Sequence, residues 1–163
     1  MNKKRILIVD DEISFTRLLK LNLEQTNGYL VRVENRAEDA LTTAREFQPD
    51  LVLLDFMMPR MFGGDIAARL RADAHMKTTP IVFFTAAVSK TRVKEHDGVI
   101  RGFPFLAKPA SVEEVIKQIE LGLVKVSPSA HGPSTHSRVS PFVEAVFEAA
   151  LRNGASNCQE FLC

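Results

Sequence analysis

Short apolar runs alternate along the chain with longer segments in which apolar residues recur at helical spacing. Five runs read as strands: Arg5 to Asp10, Tyr29 to Val33, Asp50 to Asp55, Pro80 to Thr85 and Phe103 to Ala107. Between them, Phe15, Leu18, Leu19 and Leu23 predict one buried helical face, and Ala37, Ala40, Leu41 and Ala44 predict another. Val112, Val115, Ile116, Ile119 and Leu123 predict a last helix of the same kind. A further helix is expected to begin near Gly63, and a short polar one to run from about Ser89 to His96. Capping signals agree, with Asn35 three residues ahead of Glu38 and Ser111 three ahead of Glu114. Repeated strand-helix units of this kind build a parallel sheet, so the fold class is α/β.

The pattern breaks after residue 126. Ser127 to Pro141 is Ser-, Pro-, Gly- and His-rich with almost nothing apolar to bury, which reads as a linker. Beyond it, Phe142, Val143, Val146, Phe147, Ala150 and Leu151 recur at helical spacing, with Glu144, Glu148 and Arg152 opposite them. The expected organisation is a domain over 1–126, a linker over 127–141, and a short amphipathic helix and tail over 142–163.

Composition sharpens this only at the margins. The 163 residues are 45% hydrophobic and 25% charged, with a net charge of +1, the balance of an ordinary globular protein. That charge leaves no electrostatic footprint for nucleic acid or an anionic membrane, so neither is expected as a partner. No run approaches the roughly 20 apolar residues of a membrane span. The basic start lacks a signal-peptide core of about 7 to 15 apolar residues, so a cytoplasmic location is expected. Cys158 and Cys163 read as accessible thiols, and with His131 and His136 they match no zinc-ligand spacing.

The chemistry stands where the strands end. Ile6-Leu7-Ile8-Val9 runs into Asp10-Asp11, Leu51-Val52-Leu53-Leu54 into Asp55, Ile81-Val82-Phe83-Phe84 into Thr85, and Phe103 to Ala107 into Lys108-Pro109. In an open parallel sheet these carboxyl ends share one edge, where ligands bind. Two carboxylates about 4 Å apart repel by roughly 4 kcal/mol at an effective dielectric of 20, so positive charge must share the site. Lys108 supplies one such charge, and a hard divalent cation such as magnesium suits the oxygen donors. A carboxylate so placed can attack a phosphoryl group, with metal and lysine neutralising the transferring oxygens. Thr85 offers a hydroxyl to one of those oxygens. Each residue alone has a plainer reading: a helix cap for the Asp pair, a turn for Lys-Pro, a structural Thr85, a core Phe105. Their conjunction at one edge favours the phosphoryl chemistry.

Ile8-Val9-Asp10-Asp11-Glu12, then Leu54-Asp55-Phe56-Met57-Met58-Pro59 with Gly63, then Phe84-Thr85-Ala86, then Leu106-Ala107-Lys108-Pro109 resemble the receiver domain of two-component response regulators. The resemblance covers about Lys3 to Val126. It implies a flavodoxin-like (βα)5 doubly wound parallel sheet of strand order 2-1-3-4-5, and a signalling phosphoacceptor rather than an enzyme in the ordinary sense. It implies that Asp55 accepts the phosphoryl group, that Asp10, Asp11, Asp55 and the backbone carbonyl of Met57 hold Mg2+, and that Lys108 pairs with the phosphate. Thr85 and Phe105 match the family's switch pair, in which the hydroxyl moves toward the phosphate and the ring turns into the space it leaves. Met57 and Ala87 match the positions flanking the approach of water to the phosphoryl group. The implied partners are a sensor histidine kinase or phosphotransfer protein, a downstream protein effector and a possible homodimer. The implied output face is the family's fourth helix, fifth strand and fifth helix, here about Ser89 to Val126. His96 to Gly102 departs from the usual lead into that strand.

Rival readings fit less well. A haloacid-dehalogenase-like phosphatase calls for a second Asp two residues after the nucleophile, where Met57 stands. No phosphate loop ending in Gly-Lys-Ser/Thr and no Gly-x-Gly-x-x-Gly follows the first strand. An unphosphorylated interaction module would not need the full acid set. The residues after Val126 are too few for a typical catalytic or helix-turn-helix domain, so a stand-alone receiver is expected unless the chain is a fragment.

Overall fold

Alternate residues of a strand point to opposite faces of a sheet, and here both faces are covered, which is why the strands are apolar throughout. The computed structural model describes residues 2–91, 99–100 and 102–124. Its elements are β1 (Lys4–Val9), α1 (Ile13–Gln25), β2 (Tyr29–Glu34), a 3-10 turn (Ala37–Asp39) leading into α2 (Ala40–Phe47), β3 (Leu51–Leu54), α3 (Gly63–Ala72), β4 (Ile81–Thr85), β5 (Val99–Ile100), β6 (Phe103–Ala107) and α4 (Val112–Val124). The sheet order is β2-β1-β3-β4-β6-β5. The five long strands are parallel and follow the expected order 2-1-3-4-5.

On one face, Ile6 and Ile8 of β1, Leu51 and Leu53 of β3, and Val82 and Phe84 of β4 pack against Leu19 and Leu23 of α1 and Val115 and Ile119 of α4. On the other, Leu7, Val9, Val52, Leu54, Ile81 and Phe83 pack against α2 and α3 through Ala40, Ala44, Ile66, Ala67 and Leu70. Burying one such side chain contributes about 1.5 to 3 kcal/mol, so the two layers fix which residues arrive at the carboxyl edge.

Several expectations need correction. Of the face expected on α1, Leu19 and Leu23 are buried and Phe15 packs against the same layer, but Leu18 is exposed and Thr16 is buried in its stead. The Thr16 hydroxyl tolerates burial because it donates to the Ile13 carbonyl and accepts from Asn35 Nδ2. Asn35 therefore caps no helix: its amide also donates to the Asp10 carbonyl, at 2.6 Å. The second predicted box is real, with the Glu114 N–H donating to Ser111 Oγ and the Ser111 N–H to Glu114 Oε2. Strand β5 is an unforeseen antiparallel edge, pairing Val99 with Pro104 and Ile100 with Phe103 around Gly102 at φ +80°. Glycine adopts that conformation without a Cβ penalty. Of the expected helix at Ser89 to His96, Ser89 is not helical, Lys90 and Thr91 are, and residues 92–96 lie outside the described residues. The expected linker (127–141) and terminal helix (142–163) also lie outside them.

Candidate functional site

Asp10 follows β1 directly and Asp55 follows β3, and the parallel pairing of these strands sets Val9 opposite Leu54. The register is tied at its end by the Asp55 N–H donating to the Val9 carbonyl, at 2.9 Å. Both aspartates are buried, whereas Asp11 is exposed. Lys108 arrives from the end of β6, where its N–H donates to the Thr85 carbonyl at 2.9 Å; the Lys108–Pro109 bond is cis. The Lys108 ammonium lies 2.5 Å from Asp10 Oδ2 and 3.3 Å from Asp55 Oδ2. It also sits over the rings of Phe15 and Phe84, at 4.6 and 5.7 Å from their centroids, a favourable placement for a cation.

Each remaining carboxylate oxygen has work of its own. Asp10 Oδ1 accepts from the Glu12 N–H at 2.9 Å, and Asp55 Oδ1 from the Met57 N–H at 3.3 Å. These bonds turn the chain sharply after each strand and hold the carboxylates at the edge. One oxygen from each of Asp10, Asp11 and Asp55 lies within 4.8 Å of the other two.

Burial pushes the Asp10 carboxyl above the ordinary carboxylate value, and the Asp55 charge adds to this; the bonds from Lys108 and Glu12 oppose it without cancelling it. Burial alone would lower the Lys108 ammonium, but the Asp10 bond and the charges of Asp55 and Asp10 outweigh it and leave it raised. An ion pair alone would lower its acid. That Asp10 nevertheless rises reflects its burial first, with the Asp55 charge adding to it. Three clustered carboxylates beside the Lys108 ammonium still leave a negative surplus suited to an added cation with oxygen ligands.

The sequence model of the response regulator receiver domain matches residues 6–120. The chain belongs to that family. As a receiver it is 32% identical over 135 residues to the transcriptional regulatory protein ResD of Bacillus subtilis, covering 80% of this chain and 52% of that one. It is 36% identical over 122 residues to the DNA-binding response regulator MtrA of Mycobacterium tuberculosis, covering 74% of this chain and 51% of that one. The structure of the Vibrio cholerae chemotaxis protein CheY4 matches 75% of this chain and 100% of that chain, at a TM-score of 0.64 and 29% identity. The chain spans about half the length of the curated relatives named here. Because these relatives are DNA-binding or transcriptional regulators, the near-neutral charge does not exclude nucleic acid for the whole protein. No helix among the described residues is long and apolar enough to cross a membrane.

The remaining residues matched to the receiver pattern lie around this edge. Thr85 is fully buried, its Oγ1 accepting from the Ala87 N–H at 3.2 Å. Phe105 is buried too, its ring stacked on Phe83 with centroids 4.8 Å apart. Met57 is partly buried against the apolar layer of α2 and α3, and Ala87 is exposed. Sequence reasoning missed Phe15, Asn35 and the role of Gly63. Phe15 looked like an ordinary helix-face residue, and nothing in its spacing says that its ring floors the Lys108 ammonium.

Proposed function

We propose that this receiver takes a phosphoryl group from a sensor histidine kinase or phosphotransfer protein onto Asp55. An Asp55 carboxylate oxygen forms the new P–O bond as the donor's P–N bond breaks. Asp10, Asp11, Asp55 and the Met57 carbonyl would hold Mg2+, which supplies positive charge to the transferring oxygens. Lys108 shares that work, and its contacts with both buried aspartates are the observation that carries the reading. Thr85 would leave the Ala87 N–H to donate its hydroxyl to the phosphoryl group, and Phe105, on the neighbouring strand β6 opposite Phe83, would respond. The change would reach partners through β6 and α4, the fifth parallel strand and the helix that follows it.

The test uses acetyl phosphate, which needs no kinase. With Mg2+ present, intact-mass spectrometry should show a single added phosphate that maps to Asp55, and with chelator present it should show none. Equal labelling under both conditions, or labelling at another residue, overturns the reading.

The lifetime of the phosphorylated form depends on whether a water can be aligned opposite the Asp55 oxygen. Met57 offers a weakly accepting thioether and Ala87 only a methyl, so neither orients water strongly. Met57→Asn combined with Ala87→Glu is therefore expected to shorten the lifetime by about tenfold, below the roughly hundredfold typical of a positioned acid or base. Phosphate loss after donor removal measures this, and decay at the parent rate would remove these two positions from control of the step.

For the output, the half-length coverage of ResD and MtrA favours a second reading beside a separate protein effector. In it, the receiver regulates a DNA-binding region within a longer chain. The mass of the natural protein distinguishes them: near 18.2 kDa for the first, and roughly twice that for the second.

A further inference from the structure

Strand β1 ends at Val9, and the Asp10 N–H still joins the sheet by donating to the Glu34 carbonyl, at 3.1 Å. The Asp10 carbonyl is held differently: among the described residues its donor is Asn35 Nδ2, at 2.6 Å. The second N–H of that amide goes to Thr16 Oγ1, at 3.0 Å. Chemistry fixes which way the amide faces. Thr16 spends its hydroxyl proton on the Ile13 carbonyl, so toward Asn35 it can only accept, and the Asp10 carbonyl can only accept too. The NH2 end of an asparagine serves both acceptors, which an ionised aspartate at this position could not do. Thr16 is fully buried and Asn35 half-buried, so these bonds form largely away from water, where they are electrostatically stronger.

The Asp10 carbonyl and the Asp11 N–H belong to one planar peptide. A bond that holds the first sets the tilt of the second, and with it the direction in which Asp11 leaves the chain. The residues on either side of Asp11 have restraints of their own. Asp10 Oδ1 accepts from the Glu12 N–H at 2.9 Å, and the Glu12 carbonyl accepts from the Thr16 N–H at 3.0 Å. Asp11 is exposed, and its carboxylate makes no hydrogen bond or ion pair with the described residues. One of its oxygens nevertheless stands within 4.8 Å of oxygens from both Asp10 and Asp55. Like charges so close repel, so an untethered carboxylate would turn away from them into water.

We propose that Asn35 is a positioning residue for the metal site: by holding the peptide between Asp10 and Asp11, it keeps the Asp11 carboxylate turned toward Asp10 and Asp55. The role rests on the ligand set proposed above, to which Asp11 belongs. Groups that orient a metal ligand typically contribute about 10- to 100-fold to metal affinity. Asn35 acts on one ligand of the set and through its backbone, which places the expected effect at the lower end, about tenfold. Because Asn35 touches neither the metal nor the phosphoryl group, its loss raises the Mg2+ concentration that phosphorylation needs and leaves the rate at saturation in place. A plainer role, satisfying a carbonyl and nothing more, would lower stability without changing Asp11.

The test is NMR on the full chain labelled with 15N, comparing the parent with Asn35→Ala and with Asn35→Asp, which keeps the shape of the side chain but has no N–H to donate. Without metal, 15N relaxation should show the Asp11 amide gaining mobility on the picosecond-to-nanosecond scale in both variants, while the amides of β1 and β3 keep theirs. On titration with Mg2+, amide shifts at residues 10–12 and 55–57 should give a dissociation constant about tenfold weaker for Asn35→Ala than for the parent. At saturating Mg2+, acetyl phosphate should label Asn35→Ala at the parent rate. If the Asp11 amide relaxes as in the parent in both variants, or if Asn35→Ala binds Mg2+ as the parent does, the positioning role is overturned. If the parent itself shows no Mg2+-dependent shift at those residues, the ligand set is wrong and the role of Asn35 falls with it, a result distinct from the first two.

Discussion

Asp55→Asn is expected to abolish phosphorylation by acetyl phosphate while leaving the receiver folded. The amide has nearly the shape of the carboxylate, so the Met57 N–H keeps an oxygen acceptor in place of Asp55 Oδ1, and the Asp55 backbone N–H keeps its bond to Val9. The neutral amide is no longer a carboxylate nucleophile. Lys108 keeps Asp10 as a partner, and Asp10 loses the neighbouring charge that helps raise its carboxyl. Two effects on stability then oppose each other, the loss of one Lys108 contact and the relief of repulsion between two buried acids. The net change should stay within about 1 kcal/mol. An NMR titration should place the Asp10 carboxyl lower in the variant than in the parent, because a cause that raises it has gone. Intact mass and thermal melting check the two main claims, and a variant that still gains one phosphate would show that the nucleophile is elsewhere.

Most of the fold could be read from the chain because its information is local. Apolar strand runs and helical spacing are written residue by residue, and the end of each run marked where Asp10, Asp55, Thr85 and Lys108 would stand. The parallel register then brought Asp10, Asp55 and Lys108 into contact. The failures have a different origin. Leu18 is as apolar as Leu19, and only which side of α1 meets the sheet decides which of them is buried. Asn35 stands at the right spacing for a cap, but it lies beside the Asp10 carbonyl only because β1 and β2 are neighbours. The β5 edge depends on a glycine turn that brings Val99 to Pro104, a pairing with no periodic signal over two residues. In each case what decides is a contact across elements, which spacing along one element does not record.

Gly63 is the clearest such contact, and Gly63→Ala is expected to damage the site from beneath. The residue opens α3, and its N–H donates to the Phe56 carbonyl at 2.9 Å. A Cβ there would stand 2.3 Å from the Asp55 carbonyl oxygen and 2.8 Å from the Phe56 Cα. Both are backbone atoms, so no side chain can swing aside to make room. Either α3 moves away from the loop or the Asp55–Phe56 peptide rotates. Overpacking of this kind costs about 1 to 3 kcal/mol. The larger effect should fall on the chemistry, since misplacing a reacting group by about 1 Å can cost about a hundredfold in rate. Gly28→Ala is the control, because the nearest atom to a Cβ there is Thr26 Oγ1 at 3.7 Å, an ordinary contact. Denaturant unfolding and the rate of labelling by acetyl phosphate should both separate the two variants. If Gly63→Ala matches Gly28→Ala in both measurements, close approach to the Asp55 backbone does not position the nucleophile.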